Sequence, residues 1–376
     1  MMKKIAILII ATAFLLSACA PKFGEEEVVQ EKNDKQQKAV IPKYNISDSY
    51  YRMILPFKPS KSRGLVVENL NTRLDVDEFE TGLMRVAQER FSPKDYLFQE
   101  GQFLKKETIQ SWLKRKDEGD KGLNPALSNK GTNEEKNTKS PIYLADILEH
   151  DYYTKNGDNK VELGGVVLGL ALNSVHYYET EQGYPREVEL TDEVIEREGK
   201  QLAAEVLSRV RHIDELKHVP ITIALFKQQP KTSIIPGHFF AMTNVDEDST
   251  TIDKWEKINE EYALFPSDDA EKNHREDLMK FLNFKSDIED FFPNYTGVIG
   301  KAFYVDDQLQ QLTINIPMQF YGKAEVIAFT QYVTGLVMEK FPDYINVNVY
   351  ISSVGGPESI IVRPAKSDQP FVHIYQ

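Results

Sequence analysis

Apolar and polar positions along the chain fall into two stretches with the same order of elements. In the first, residues 165–172 are apolar throughout, as in a strand buried on both faces. A polar turn with Gly183 and Pro185 leads to a short strand at 187–190. A helix then opens at Thr191 or Asp192 and places Val194, Ile195, Leu202, Val206 and Val210 on one face. Residues 219–225 alternate as a strand, and apolar runs at 234–236 and 239–242 close the stretch. In the second stretch, 297–304 and 312–316 read as strands on either side of an Asp306-Asp307 turn. Residues 323–340 form a helical pattern with Val326, Ile327, Val333, Leu336 and Val337 inward. Residues 345–351 alternate with period two, and Gly355-Gly356-Pro357 turns the chain into strands at 360–362 and 371–374. Matching landmarks sit about 126 to 132 positions apart, the signature of a repeat.

This pattern predicts an α+β fold with two related repeat units, each a small antiparallel or mixed sheet with a packed helix. The flanks differ. Before the first unit lie an extended stretch at 50–57, a strand at 64–70, helices at 75–91 and 108–116, a polar loop at 117–141 and a short helix at 142–150. Before the second, Asp246-Glu247-Asp248-Ser249 reads as a solvated linker, followed by helices at 252–262, 275–283 and 287–291. The predicted division is 1–18, a signal peptide; 19–44, a lipidated cysteine and flexible tether; 45–246, the first domain with its N-terminal extension; and 247–376, the second domain.

The first residues carry the clearest signal. Lys3 and Lys4 precede an apolar run over 5–16, interrupted only by Thr12. That run is shorter than the ~20 residues a bilayer span needs and has the length of a signal-peptide core. It ends in Leu16, Ser17, Ala18 and Cys19, which resembles the lipobox of bacterial lipoproteins. The small residues suit a peptidase cleft, and the thiol is the handle for a diacylglyceryl group. The resemblance implies lipidation of Cys19, cleavage before it by the lipoprotein-processing enzymes, and a place on the outer face of the cell membrane. Acyl chains contribute ~0.8 kcal/mol per buried methylene, so two or three anchor durably. Residues 20–43 are polar and aperiodic and read as a tether spanning roughly 25–30 Å, with a helix over 25–38 as the alternative.

Composition narrows the function classes. The chain has 376 residues, 41% hydrophobic and 27% charged, which is ordinary for a globular protein. Its formal charge is −13, and cleavage before Cys19 removes Lys3 and Lys4 and takes it to −15. An acidic chain is poorly suited to neutralising phosphates, so nucleic acid is not an expected partner. Cys19 is the single cysteine, which leaves no internal disulfide and no Cys-rich metal site.

No Gly-x-Ser-x-Gly, His-Glu-x-x-His, P-loop or Gly-x-Gly-x-x-Gly occurs, so no cofactor, metal or catalytic residue is assigned. Gly164, Gly165 and Gly169 fit close strand packing better than a phosphate loop. Asp246, Glu247 and Asp248 lack the glycine and glutamate of a calcium loop, with Thr251 and Lys257 in those places. His176 and His238 stand beside aromatic pairs and could meet in a polar site. The doublets Tyr50-Tyr51, Tyr152-Tyr153, Tyr177-Tyr178, Phe239-Phe240 and Phe291-Phe292 could line a groove for glycan or peptide, or could fill the two faces of their sheets.

Three further segments, 121–125 (Lys-Gly-Leu-Asn-Pro), 142–153 (Ile-Tyr-Leu-Ala-Asp-Ile-Leu-Glu-His-Asp-Tyr-Tyr) and 169–175 (Gly-Leu-Ala-Leu-Asn-Ser-Val), resemble the CamS family of Gram-positive lipoproteins, named as sex-pheromone precursors. The resemblance covers essentially the whole chain. It implies that a short apolar peptide ending before the lipobox cysteine is released; the matching positions are Thr12, Ala13, Phe14, Leu15, Leu16, Ser17 and Ala18. Thr12-Ala13 departs from the Ala-Ile of the relatives. For the body the resemblance implies no enzymatic activity. The reading is therefore a membrane-anchored surface lipoprotein whose non-catalytic body binds or scaffolds an unknown envelope ligand, with a cell-wall-active hydrolase as the alternative.

Overall fold

The computed structural model describes residues 25–32, 35–42, 46–47, 49–158, 160–292 and 297–376. In chain order the first part runs β1 (Glu25–Lys32), β2 (Lys35–Pro42), β3 (Arg52–Met53), α1 (Leu65–Asn69), α2 (Arg73–Ala87), β4 (Leu97–Glu100), α3 (Lys106–Leu113), α4 (Asn133–Lys139), β5 (Leu144–Lys155), β6 (Lys160–Asn173), β7 (Val175–Glu179), β8 (Pro185–Glu189), α5 (Asp192–Val210), β9 (Ile221–Gln228), β10 (His238–Val245) and β11 (Glu256–Lys257). The second part runs β12 (Glu260–Phe265), α6 (Asp268–Asn273), α7 (Arg275–Phe291), β13 (Ile299–Val305), β14 (Gln308–Pro317), α8 (Lys323–Lys340), β15 (Asn346–Ser353), β16 (Gly356–Arg363) and β17 (Phe371–Ile374).

Two mixed sheets result. The first is ordered β11-β10-β9-β6-β5-β4-β3, with β1 added to β6 and β2 to β1; the second is ordered β12-β13-β14-β15-β16-β17. Both contain the same path. A hairpin (β5–β6, β13–β14) enters a crossover helix (α5, α8), a strand returns parallel to the hairpin's second strand (β9, β15), and an antiparallel strand follows (β10, β16). The two α+β units expected from the sequence thus share a topology, but one strand out of step with the expected pairing. The apolar run at 165–172 lies in β6, whose counterpart is β14 and not β13. The small β7–β8 hairpin, inserted between β6 and α5, supplied the extra strand that made the earlier match.

In the first unit α2 covers one face of the sheet and α3 and α5 the other. Strands β5 and β6 are therefore buried on both sides, which is why β6 reads as a continuous apolar run. The glycines of β6 serve close packing: a Cβ at Gly165 would stand 2.3 Å from the Phe91 ring, and one at Gly169 2.8 Å from Phe79. Helix α2 starts at Thr72, whose Oγ1 accepts from the Asp75 N–H at 3.0 Å. In the second unit α7 and α8 pack Phe281, Phe284, Phe329 and Val333 onto one face.

An ionic cluster with two buried carboxylates joins the units. The Arg85 guanidinium, on α2, donates to Glu78 at 2.6 Å and to both oxygens of Glu260, on β12, at 2.7 and 2.9 Å. The Tyr262 hydroxyl donates to Glu78 Oε2 at 2.5 Å, and Arg85 lies 4.6 Å from the Phe303 ring centroid. Gly82 leaves the room: a Cβ there would be 2.7 Å from Glu78 Oε1 and 2.8 Å from Phe239.

Several expectations are corrected. Within the expected tether, the described residues 25–32 and 35–42 are strands: β1 and β2 pair as a hairpin that buries Val28, Ala39 and Ile41 beside Tyr153 and Leu97. Residues 142–150 fall largely in β5, not a helix; Leu144, Ile147 and Leu148 mimic helical spacing because both faces of the strand are buried. The strand expected at 64–70 is the helix α1, with Val67 exposed. The helix expected at 252–262 is β11 followed by most of β12, and those at 275–283 and 287–291 are one helix, α7. The loop expected over 117–141 includes α4. The linker at Asp246–Ser249 is instead pinned, since the Arg211 guanidinium donates to the carbonyls of Asp246 and Ser249, each at 2.8 Å. Because β11 pairs with β10, the first sheet continues to Lys257 and the second begins at Glu260, beyond the expected break after 246.

Candidate functional site

Cys19, its lipobox partners Leu16, Ser17 and Ala18, and the peptide positions Thr12, Ala13, Phe14 and Leu15 lie outside the described residues. Within the body, a cleft of about 460 Å³ lies where the chain leaves the first sheet for the second. Asp192 at the start of α5, Lys227 on β9 and His238 on β10 form one wall; Trp255 and the β11–β12 connection form the other. His238 and Lys227 are cross-strand partners, and Lys227 Nζ meets Asp192 Oδ1 at 2.5 Å. Lys200 pairs with Glu196 at 2.5 Å and stands 5.6 Å from the Trp255 ring centroid. Enclosure, then the Lys227 charge, holds the His238 imidazole neutral down to about 4. The cleft thus offers an indole, Phe240 and Ile258 beside the Lys227–Asp192 and Lys200–Glu196 pairs. Such a lining suits binding of a ligand with both apolar and hydrogen-bonding faces.

Strand β5 carries the densest polar cluster of the interior. Glu149 and Asp151, two apart, share a face. Glu149 accepts the backbone N–H groups of Gln102, Phe103 and Leu104 at 3.1, 2.9 and 2.5 Å, and Asp151 accepts Gln102 N–H at 2.9 Å. Burial, and for Asp151 the adjoining Glu149 charge, pushes both carboxyls up. A hydrolase could use two such acids in an open cleft, but these are 1% and 0% exposed and are occupied in folding the 101–104 turn onto the strand. Next to them, burial holds His150 neutral down to about 3, with Nδ1 lacking a partner among the described residues and the ring edge-on to Phe98 at 4.9 Å. Burial also raises Asp146 to about 7, and Asn69 donates to it at 3.3 Å.

His176 and His238 do not form a joint site: His176 lies on β7, bonded to Asn137 Oδ1 at 3.0 Å and stacked on Tyr178. Of the aromatic doublets, Tyr152-Tyr153 fills the two faces of its sheet, whereas Phe240 lines the cleft and Tyr50 is exposed. Tyr152 packs with Tyr51, Phe91 and Phe98 on one face of the sheet, while Tyr153 packs with Leu97 and Val161 on the other. Trp255 was missed because Trp255, Ile258 and Tyr262 fall at helical spacing. The alternation over 260–265 was the available signal for β12.

The fold is a two-sheet α+β body with a cleft at the passage between the sheets. The family described as CamS sex pheromone cAM373 precursor matches residues 57–369, and the chain belongs to that family. A sex pheromone precursor from Lactobacillus salivarius subsp. salivarius UCC118 has a solved structure that is 34% identical and superposes with a TM-score of 0.80 over 89% of this chain and 98% of its own. The C-terminal domain of the sex pheromone staph-cAM373 precursor from Staphylococcus aureus is 35% identical, with a TM-score of 0.71 over 82% of this chain and 98% of its own. Among curated proteins nothing matches the chain. Among the described residues no helix is long and apolar enough to cross a membrane.

The interior histidine makes a pH prediction. His150 falls from an ordinary 6.5 to about 3 on folding. Between those values the unfolded chain binds a proton that the native chain does not, so its contribution to stability is lost as pH drops from about 6.5 toward 3. At pH 4.5 this amounts to about 2–3 kcal/mol. In denaturant melts, His150→Phe should therefore lose less stability than the parent between pH 7 and 4.5. Parallel losses would show that the imidazole is not held neutral.

Proposed function

We propose that the chain is a lipoprotein anchored through Cys19, that its signal peptide releases the segment Thr12–Ala18, and that its body is a non-catalytic binding module whose ligand enters the cleft at Trp255. The observation that carries the body's role is that cleft, which opens at the junction of the two sheets and combines an aromatic wall with the ion pairs Lys227–Asp192 and Lys200–Glu196. Family membership and the lipobox sequence support the anchor and the release. A free heptapeptide cannot fold, so a receptor would take it extended, with pockets for alternate side chains such as Phe14 and Leu16.

Cys19→Ala should abolish incorporation of an alkyne fatty acid and leave the uncleaved precursor. Mass spectrometry of the medium should then detect Thr12–Ala18 from the parent strain and none from the variant. Labelling of the variant, or equal peptide from both, would reject the reading.

The binding role makes an optical prediction. Of the two tryptophans, Trp112 is buried in the first core and Trp255 lines the cleft. Titration with solubilised cell-wall fragments should shift the emission of the parent and of Trp112→Phe, and leave Trp255→Phe unchanged. A parent without response to wall fragments, or a response retained in Trp255→Phe, would remove the cleft as the site.

A further inference from the structure

The second sheet is covered by helices on one face only. Val347, Val349 and Ile351 of β15 point into the helical core, so Asn348 and Tyr350 point out the other side. The strand registers place these outward residues in two rows that cross the sheet. One row is Ile299, Asn315, Tyr350, Ile360 and His373; the other is Lys301, Thr313, Asn348, Val362 and Phe371. All ten are half-buried or exposed, with the Tyr350 ring at 44% and Phe371 at 63%. The first unit reaches only the far corner of this face, where Arg85 meets Glu260 and Phe303.

Three properties of the face point to one occupant. First, the two rows carry no carboxylate in a chain of formal charge −13; Lys301 and His373 are their only basic groups, and Glu358 at the margin is tied to Lys323 at 2.7 Å. The face therefore suits a partner without strong positive charge. Second, the rings stand among amides and hydroxyls. Tyr350 has Asn315 directly beside it on β14 and Ile360 on β16, and Asn348 and Thr313 are neighbours in the next row. The amides of Asn315 and Asn348 have no partner among the described residues. Third, the face is small. With the flanking outward pairs Gln311–Asn346 and Pro317–Ser352, five strands at about 4.8 Å spacing and four rows about 6.6 Å apart give roughly 20 Å by 20 Å. That is below the ~800 Å² per partner of a stable protein interface. A peptide added to a sheet would take its affinity from backbone bonds at an edge, and this face offers side chains alone.

We infer that the outer face of β13–β17 is a platform for an uncharged, N-acetylated glycan strand. Tyr350 is the stacking ring, and the side-chain amides of Asn315 and Asn348 pair with acetamido and hydroxyl groups. Rings pack on apolar sugar faces through their flat surface, while each asparagine presents both a donor and an acceptor. The site is separate from the cleft at Trp255 and does not depend on it.

The test is co-sedimentation of the full-length chain, in detergent micelles, with chitin and with cell-wall sacculi stripped of anionic polymer. The parent should pellet with both, with little change between 50 and 500 mM salt. Tyr350→Ala and the double variant Asn315→Ala/Asn348→Ala should weaken binding at least tenfold while retaining the parent's melting curve. Equal sedimentation of parent and Tyr350→Ala would overturn the assignment. So would binding confined to unstripped sacculi and lost in salt, which identifies an anionic polymer, or a concentration-dependent dimer abolished by Tyr350→Ala, which identifies a second copy.

Discussion

The arrangement of the molecule turns on one guanidinium held between two buried carboxylates. Arg85 is held by Glu78 on its own helix and by Glu260 at the first strand of the second sheet. The two carboxyls are 7% and 8% exposed and have little water to fall back on, while the Arg85 side chain keeps 34% of its surface. Removing one partner from such a pair typically costs about 3–5 kcal/mol, because the remaining charge is left buried and unpaired. Burial already pushes Glu78 up against the pull of Arg85, and the Tyr262 hydroxyl satisfies the oxygen that the guanidinium does not reach. The cluster closes in one geometry, and that geometry sets how the second unit meets the first.

Both candidate binding regions follow from this placement. The cleft at Trp255 exists because the chain passes from β11 to β12 beside the cluster; Glu260, which binds Arg85, is also part of its lining. The outer face of the second sheet stays open because the first unit covers only its Tyr262–Phe303 corner, where the rings lie 4.8 Å apart. A single ionic contact thus leaves two concave or flat surfaces accessible on one body.

Much of the fold was legible in the sequence, and the failures have a common cause. Helices α2, α5 and α8 were visible because each buries one stripe, as Ile195, Leu202, Val206 and Val210 do on α5. Strand β15 was visible because one face is core and the other is not. Strand β5 was not, because Glu149, His150 and Asp151 are charged or polar types placed in the interior, and no pattern rule expects acids there. The β1–β2 hairpin escaped because it buries only a few apolar side chains in a polar segment. The cleft was illegible for a different reason: Asp192, Lys227, His238 and Trp255 are far apart in sequence and meet only through sheet order. The lipobox-like run Leu16-Ser17-Ala18-Cys19, by contrast, is contiguous in sequence and needs no fold to be read.

The claim that the two sheets form one body through Arg85 can be tested by following unfolding with two probes. Both tryptophans lie in the first unit, so their emission reports that unit alone, while far-ultraviolet circular dichroism reports both. The parent should show coincident transitions by the two probes. Arg85→Met should lose about 3–5 kcal/mol and separate them, as each sheet unfolds on its own. Coincident transitions in Arg85→Met, with a midpoint close to the parent's, would contradict the account.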